Sequence, residues 1–205
     1  MFTFKTIAVA AATAAALTVA GCSSNTSAAP TSTSSMPGMD HGSTSASAAP
    51  NVTRTDFNDA DVMFLQMMYP HHAQAIDMSK LVADRSQDQE VITLAQNIEK
   101  AQGPEMTKMT DLLQSVGKPA PSAESSGHMT GVMSTEQMTS LEALSGAAFD
   151  RMWLQMMIDH HEGAIDMSNT ELQDGINPDA KKMAQAIIAN QQAEITQMRG
   201  MLGQG

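Results

Sequence analysis

Nearly half of this 205-residue chain is one segment written twice. The segment DVMFLQMMYPHHAQAIDMS at 61–79 returns as DRMWLQMMIDHHEGAIDMS at 150–168, so that His71 recurs as His160, 89 residues later. The same offset aligns LAQNIEKAQGPEMTKM at 94–109 with MAQAIIANQQAEITQM at 183–198, without a gap. Each copy reads as two helical stretches, and one such hairpin is too small to bury its own apolar face. The two copies must therefore cover each other. The expected fold is all-α: two tandem helical hairpins packed as a pseudo-symmetric four-helix bundle.

Local signals place helices near 57–84, 87–115, 147–173 and 178–202, with a shorter one near 135–144 set off by Ser145-Gly146. Asn177-Pro178 is an N-cap followed by proline at the first helical position, and Ser86 with Gln89 has the pattern of a capping box. Pro70 and Gly103-Pro104 fall inside helices of the first copy only, where a kink is expected. The bundle then covers 55–205, as hairpins 55–116 and 134–205 joined by a Pro- and Ser-containing linker, 117–133.

The residues ahead of the bundle have a different character. Lys5 and the Ala-rich apolar run 7–20 read as a signal peptide, 1–21, too short and too rich in Ala and Thr for a permanent span. It ends in V-A-G-C, which resembles the lipobox of bacterial lipoproteins and implies that Cys22 carries lipid. The Ser, Thr, Ala and Pro that dominate 22–54 cannot bury enough surface to order themselves, so this stretch is expected to be a disordered tether. The expected location is the extracytoplasmic face of a bacterial membrane, with the lipid on Cys22 as the membrane contact.

Composition narrows the chemistry. A net charge of −11 and the absence of any basic run argue against nucleic acid as a partner. One Cys permits neither an intrachain disulfide nor a thiolate cluster, so metal chemistry falls to 6 His, 19 Met and the carboxylates.

Those residues are in register. Met63, Met67, His71 and Met78 fall within about 80° on a helix, and Met68 and His72 form an adjacent stripe at i and i+4. Met152, Met156, His160 and Met167, with Met157 and His161, repeat both. On the second helix of each hairpin, Ala95, Ile98, Gln102, Glu105, Met109 and Leu112 follow alternating steps of three and four, as do Ala184, Ile187, Gln191, Glu194, Met198 and Met201. A Gln and a Glu thus interrupt an apolar seam twice. Glu105 and Glu194 need a proton, a hydrogen bond or a cation, and the His pairs are the nearest candidates. Such a Glu can fix an imidazole tautomer and leave its other nitrogen free for a metal, with Gln102 and Gln191 in the same supporting layer.

Thioethers select soft ions, and imidazole accepts copper as well as zinc. The expected ligands are Met67, Met68, His71, His72 and Met78 in one hairpin and Met156, Met157, His160, His161 and Met167 in the other. The cargo is copper(I), with silver as a second soft ion. Accessory donors lie outside the helices, in MPGMDHG (Met36, Met39, His41) and in GHMTGVM (His128, Met129, Met133). Asp77 and Asp166 are expected to face solvent or a neighbouring helix.

The pattern M-x-x-H-H-x-x-A-I-D-M-S at 64–79 and 153–168, with A-x-x-I-x-x-x-Q-x-x-E-x-x-x-M at 95–109 and 184–198, resembles the domain of unknown function 305 family. The resemblance spans roughly 56–203 and implies a ferritin-like helical bundle. Some exported members bind copper and support copper resistance, which implies the same metal here.

Blander readings compete. Methionine at helical spacing is usually core, and Met63, Met106, Met109, Met183, Met198 and Met201 are assigned that way. His71 and His160 could merely satisfy Glu105 and Glu194 in a buried network. A carboxylate metal oxidase wants Glu-x-x-His on two helices, which does not occur in the sequence. A non-covalent haem protein and a metal-free surface interaction module are the remaining alternatives. Binding is expected, and no residue is assigned a catalytic role.

Overall fold

Asn58 starts the first helix with a reciprocal cap: its side chain accepts from Asp61 N at 3.0 Å, and the Asp61 carboxylate accepts from Asn58 N at 2.7 Å. From there α1 runs over Asp59–Arg85 in the computed structural model of the chain, which describes residues 54–119, 121–123 and 129–204. The helix is unbroken at Pro70, although proline brings no N–H to the ladder. Pro70 is buried, so tertiary packing holds this turn where propensity does not.

The second helix, α2, covers Gln89–Ser115 and is likewise continuous through Pro104. Its cap is Asp88, which accepts from Glu90 N and Val91 N, and not the Ser86 that the sequence pattern suggested. A carboxylate at the positive end of the helix is the stronger acceptor. Ser86 instead closes α1 in an extended conformation, and its Oγ accepts from Asp88 N. The short α3, Thr135–Glu142, has a capping box between Ser134 and Gln137. Next come α4, Gly146–Asp174, and α5, Pro178–Met201, the latter capped by Asn177 as expected. No strand occurs among the described residues.

Helices α1 and α2 form one hairpin and α4 and α5 the other. The hairpins meet mainly through α1 and α4, while α2 and α5 hardly touch. Three contacts show that α1 and α4 run antiparallel. Asn58 Nδ2 donates to the Asp174 carbonyl at one end, the His71 and His160 rings meet in the middle, and Trp153 Nε1 donates to the Met78 carbonyl at 3.0 Å beyond them. The fully buried Asp61 also reaches across, accepting from Ile176 N at 2.9 Å and Asn177 N at 2.8 Å. One carboxylate thereby ties the start of α1 to the turn between α4 and α5.

The core has two lobes. One gathers Met78, Ile98, Phe149, Trp153, Met156 and Met157, and is closed by Met133 and Leu141 from the linker and α3. The other gathers Phe64, Leu65, Met68, Met109, Leu113 and Ile187. Met109, Met183 and Met198 are buried as expected, and Met106 and Met201 are half-buried. Met63 departs from its core assignment, being 59% exposed. Among the described residues nothing covers its end of α1 as Met133 and Leu141 cover the opposite end. No helix among them is long and apolar enough to cross a membrane.

Candidate metal centre

The repeat brings four histidines to one interface. His71, His72, His160 and His161 all have zero solvent exposure. Each sits on the side of α1 or α4 that faces its hairpin partner or the other repeat, because the His pair spans two adjacent helical stripes. The inner members meet: the His71 and His160 rings lie 3.8 Å apart between centroids, tilted by 44°. The two sequence half-sites are therefore joined across the α1–α4 contact.

The outer members face their own hairpins. His72 Nε2 lies 2.8 Å from Glu105 Oε2, and His161 Nε2 lies 2.7 Å from Glu194 Oε2. The pairing of a histidine with the seam glutamate holds, but it falls to His72 and His161, not to His71 and His160. An ionised carboxylate can only accept, so each Nε2 donates. That leaves Nδ1 as the lone-pair nitrogen, and neither Nδ1 has a hydrogen-bond partner. The glutamate side chains keep about a fifth of their exposure, 21% and 18%, so they link the buried rings to solvent.

His71 and His160 are more isolated. Neither ring nitrogen of either residue has a hydrogen-bond partner of good geometry. Burial pushes the His71 pKa down to about 3, helped by the neighbouring His72 and His161 and opposed by the Thr130 backbone. His160 is held well below the ordinary imidazole value, first by burial and then by His71 and the other two rings. Both are neutral bases at physiological pH. One turn along each seam, the buried Gln102 has no partner for either amide atom, and Gln191 none for its oxygen. A buried polar group without a partner is costly, and these groups are concentrated at one interface.

The thioethers within two turns of the histidines on α1 and α4 differ in burial. Met68, Met78, Met156 and Met157 are buried in the two core lobes. Met67 and Met167 are half-buried and, with Met63, line a groove of about 380 Å³ between α1 and α4 whose rim includes Asp59 and Asp174. Under the 89-residue offset, Met67 and Met167 correspond to Met156 and Met78. Equivalent side chains are thus open in one half and covered by Met133 and Leu141 in the other. Met133 packs in the core, its backbone bound to Gln74, and Met129 is half-buried. Asp77 and Asp166 are exposed, as expected, with Asp77 paired to Lys80.

Among the described residues no three His, Cys, Asp or Glu side chains already stand as a metal shell. A shell of these residue types alone is thus not preformed among them. Cys22, Met36, Met39, His41 and His128 lie outside the described residues. Sequence reading missed Gln74, Gly131 and Gly163, which hold the linker against α1 and α4; the break in the repeat at Gln74 and Gly163 is the signal that could have found them. It also missed Glu171, buried beside Asp61, whose pKa is raised to about 8 by burial and then by Asp61.

The sequence model of a family described as a domain of unknown function, DUF305, matches residues 61–202. No curated protein matches the chain. Among solved structures, a DUF305 protein from Streptomyces coelicolor is 30% identical, covering 70% of this chain and 92% of its own, with a TM-score of 0.66. A DUF305 fragment from Deinococcus radiodurans is 32% identical over 73% of this chain and 99% of its own, also with a TM-score of 0.66. CopM in its Cu(I)-bound form is 31% identical over 69% of this chain and 94% of its own, with a TM-score of 0.59. CopM structures in Cu(II)-bound, silver-bound and apo forms match similarly.

Proposed function

The chain belongs to the DUF305 family, and from that membership and the histidine interface we propose that it is an exported protein that binds Cu(I), and silver in its place, to sequester or pass on the ion. The observation that carries this reading is the set of four buried histidines whose ring nitrogens are unpaired, Nε2 of His72 and His161 excepted. Neutral imidazoles surrounded by methionine suit a soft monovalent ion better than a hard divalent one. The similarity to CopM, solved in Cu(I)-bound, Cu(II)-bound and silver-bound forms, supports copper and silver as the ions.

In this reading His71 and His160 supply the central nitrogens. His72 and His161 supply Nδ1, held in the right tautomer by Glu105 and Glu194. Thioethers complete the shell, with Met67 and Met167 reachable from the groove and Met68, Met78, Met156 and Met157 behind the rings. The acidic surface attracts the cation. Lipid on Cys22 anchors the protein outside the cytoplasm, and Met36, Met39, His41, His128 and Met129 extend its reach for a labile ion. The role is binding, not catalysis.

Titration of the metal-free protein with Cu(I) against a colorimetric chelator tests the proposal. It predicts competition at micromolar free ion and its loss when His71, His72, His160 and His161 are all replaced by Ala. Failure to compete, or binding unchanged in that variant, would sink it.

A further inference from the structure

All four histidines have zero exposure, so nothing from solvent reaches them unless some part of the protein moves aside. The helices packed over them are integral to the fold. Residues 129–133 are non-helical and touch both α1, at Gln74, and α4, at His160 and Gly163.

Their hold is specific: one buried side chain, Met133, and a few contacts made by backbone. The Gln74 amide clasps the Met133 backbone from both sides, Nε2 donating to its carbonyl at 2.8 Å and Oε1 accepting from its N–H at 2.7 Å. Gly131 adopts φ +82 and lies so close to α4 that an added Cβ would come within 2.9 Å of the Asp159 carbonyl oxygen and 3.0 Å of that of His160. On the helix side, a Cβ at Gly163 would fall on the Thr130 carbonyl. Gln74 and Gly163 are the same position of the repeat, 89 residues apart. One copy grips the segment and the other makes room for it.

We propose that residues 129–133 are a removable strap over the His71–His160 pair, latched by Gln74 and seated on Gly163, and that its release admits the ion to the histidines. The ion rests on the binding role proposed above; the movement of the strap does not.

The full-length, metal-free protein is treated with diethyl pyrocarbonate, which acylates neutral imidazole, and modification of His71 and His160 is mapped by peptide mass. Gln74→Ala removes two hydrogen bonds and should raise the open population, and with it the modification rate, on the order of tenfold. Gly163→Ala strengthens α4, since Ala is the better helix former, yet forces the Thr130 carbonyl away, so its rate should rise at least as far. Gln74→Ala should lower the unfolding free energy by no more than the opening it causes, about 1.4 kcal/mol for tenfold, and in both variants the urea dependence of modification should stay well below that of global unfolding. In stopped-flow mixing with Ag(I), uptake should accelerate by a similar factor while the end-point stays within about twofold, because opening alters the path and not the ligands. Histidines as protected in both variants as in the wild type would overturn the strap. So would faster modification whose urea dependence equals that of global unfolding in both. Faster modification with a small urea dependence, and no Ag(I) uptake by any form, would leave the strap standing and remove the metal role.

Discussion

His71 and His160 occupy the same position of the two repeats and stack against each other at 3.8 Å, so each is the other's nearest aromatic neighbour across the α1–α4 contact. Neither can be removed without altering the environment of its counterpart. Replacing either with Ala should lower Cu(I) affinity almost as far as replacing both, a non-additive result that a double-mutant cycle measured by chelator competition would display. Strict additivity would mean that the two hairpins bind separately.

Glu105 and Glu194 touch the ring nitrogens of His72 and His161 that point away from the centre. Glu105→Gln together with Glu194→Gln should weaken Cu(I) binding by roughly tenfold or more, through loss of the charged acceptor that orients each ring. The far-ultraviolet circular dichroism of this variant should match the wild type, which separates orientation from folding.

The metal-free protein should be most stable near pH 6.5. His71 and His160 have depressed pKa values in the folded state, so below the ordinary imidazole value of 6.5 the unfolded chain takes up protons that the folded one refuses. Stability therefore falls as pH drops from 6.5 towards 3. Glu171 acts in the opposite sense: its folded pKa of about 8 lies above its ordinary 4.5, so its contribution is full below pH 4.5 and is lost as pH rises through 8. Urea midpoints measured across this range should pass through a maximum, and Glu171→Gln should flatten the alkaline limb and steepen the acid limb between pH 4.5 and 6.5.

Asp61 and Asp150 are repeat equivalents with unequal duties. Asp61 accepts from three backbone N–H groups, of Asn58, Ile176 and Asn177, whereas Asp150 Oδ1 is buried without a partner. Asp61→Ala should cost about 3 kcal/mol, and Asp150→Ala less than about 1 kcal/mol, in urea unfolding. Equal costs would contradict the asymmetry of the two ends.

The overall architecture was legible from the repeat, because an exact offset with helical periodicity leaves few ways to pack two hairpins. The pairing of a seam glutamate with an outer histidine was nearly legible too; which histidine it would be depended on helix rotation, which the overlapping stripes of Met67, His71, Met68 and His72 could not resolve. The meeting of His71 with His160 depends on how α1 crosses α4, a relation between copies that a pattern within one copy does not contain. Met63 was read as core because its spacing matches that of core residues. Its exposure follows from which end of the α1–α4 pair is covered by Met133 and Leu141, and periodicity carries no information about that. The cap at Asp88 was missed because Ser86, two residues earlier, has the capping-box spacing to Gln89, and the carboxylate is the stronger acceptor.

One strap lies where two would be equivalent, and that has a consequence for how the halves of the molecule can change. In a pair of identical hairpins, any substitution at the position of Gln74 and Gly163 would be made on both sides at once. A second glycine would release the latch, and a second glutamine would block the seat. Joined in a single polypeptide, the two positions are independent letters. Covalent linkage thus permits a division of labour that no symmetric dimer of this hairpin could adopt.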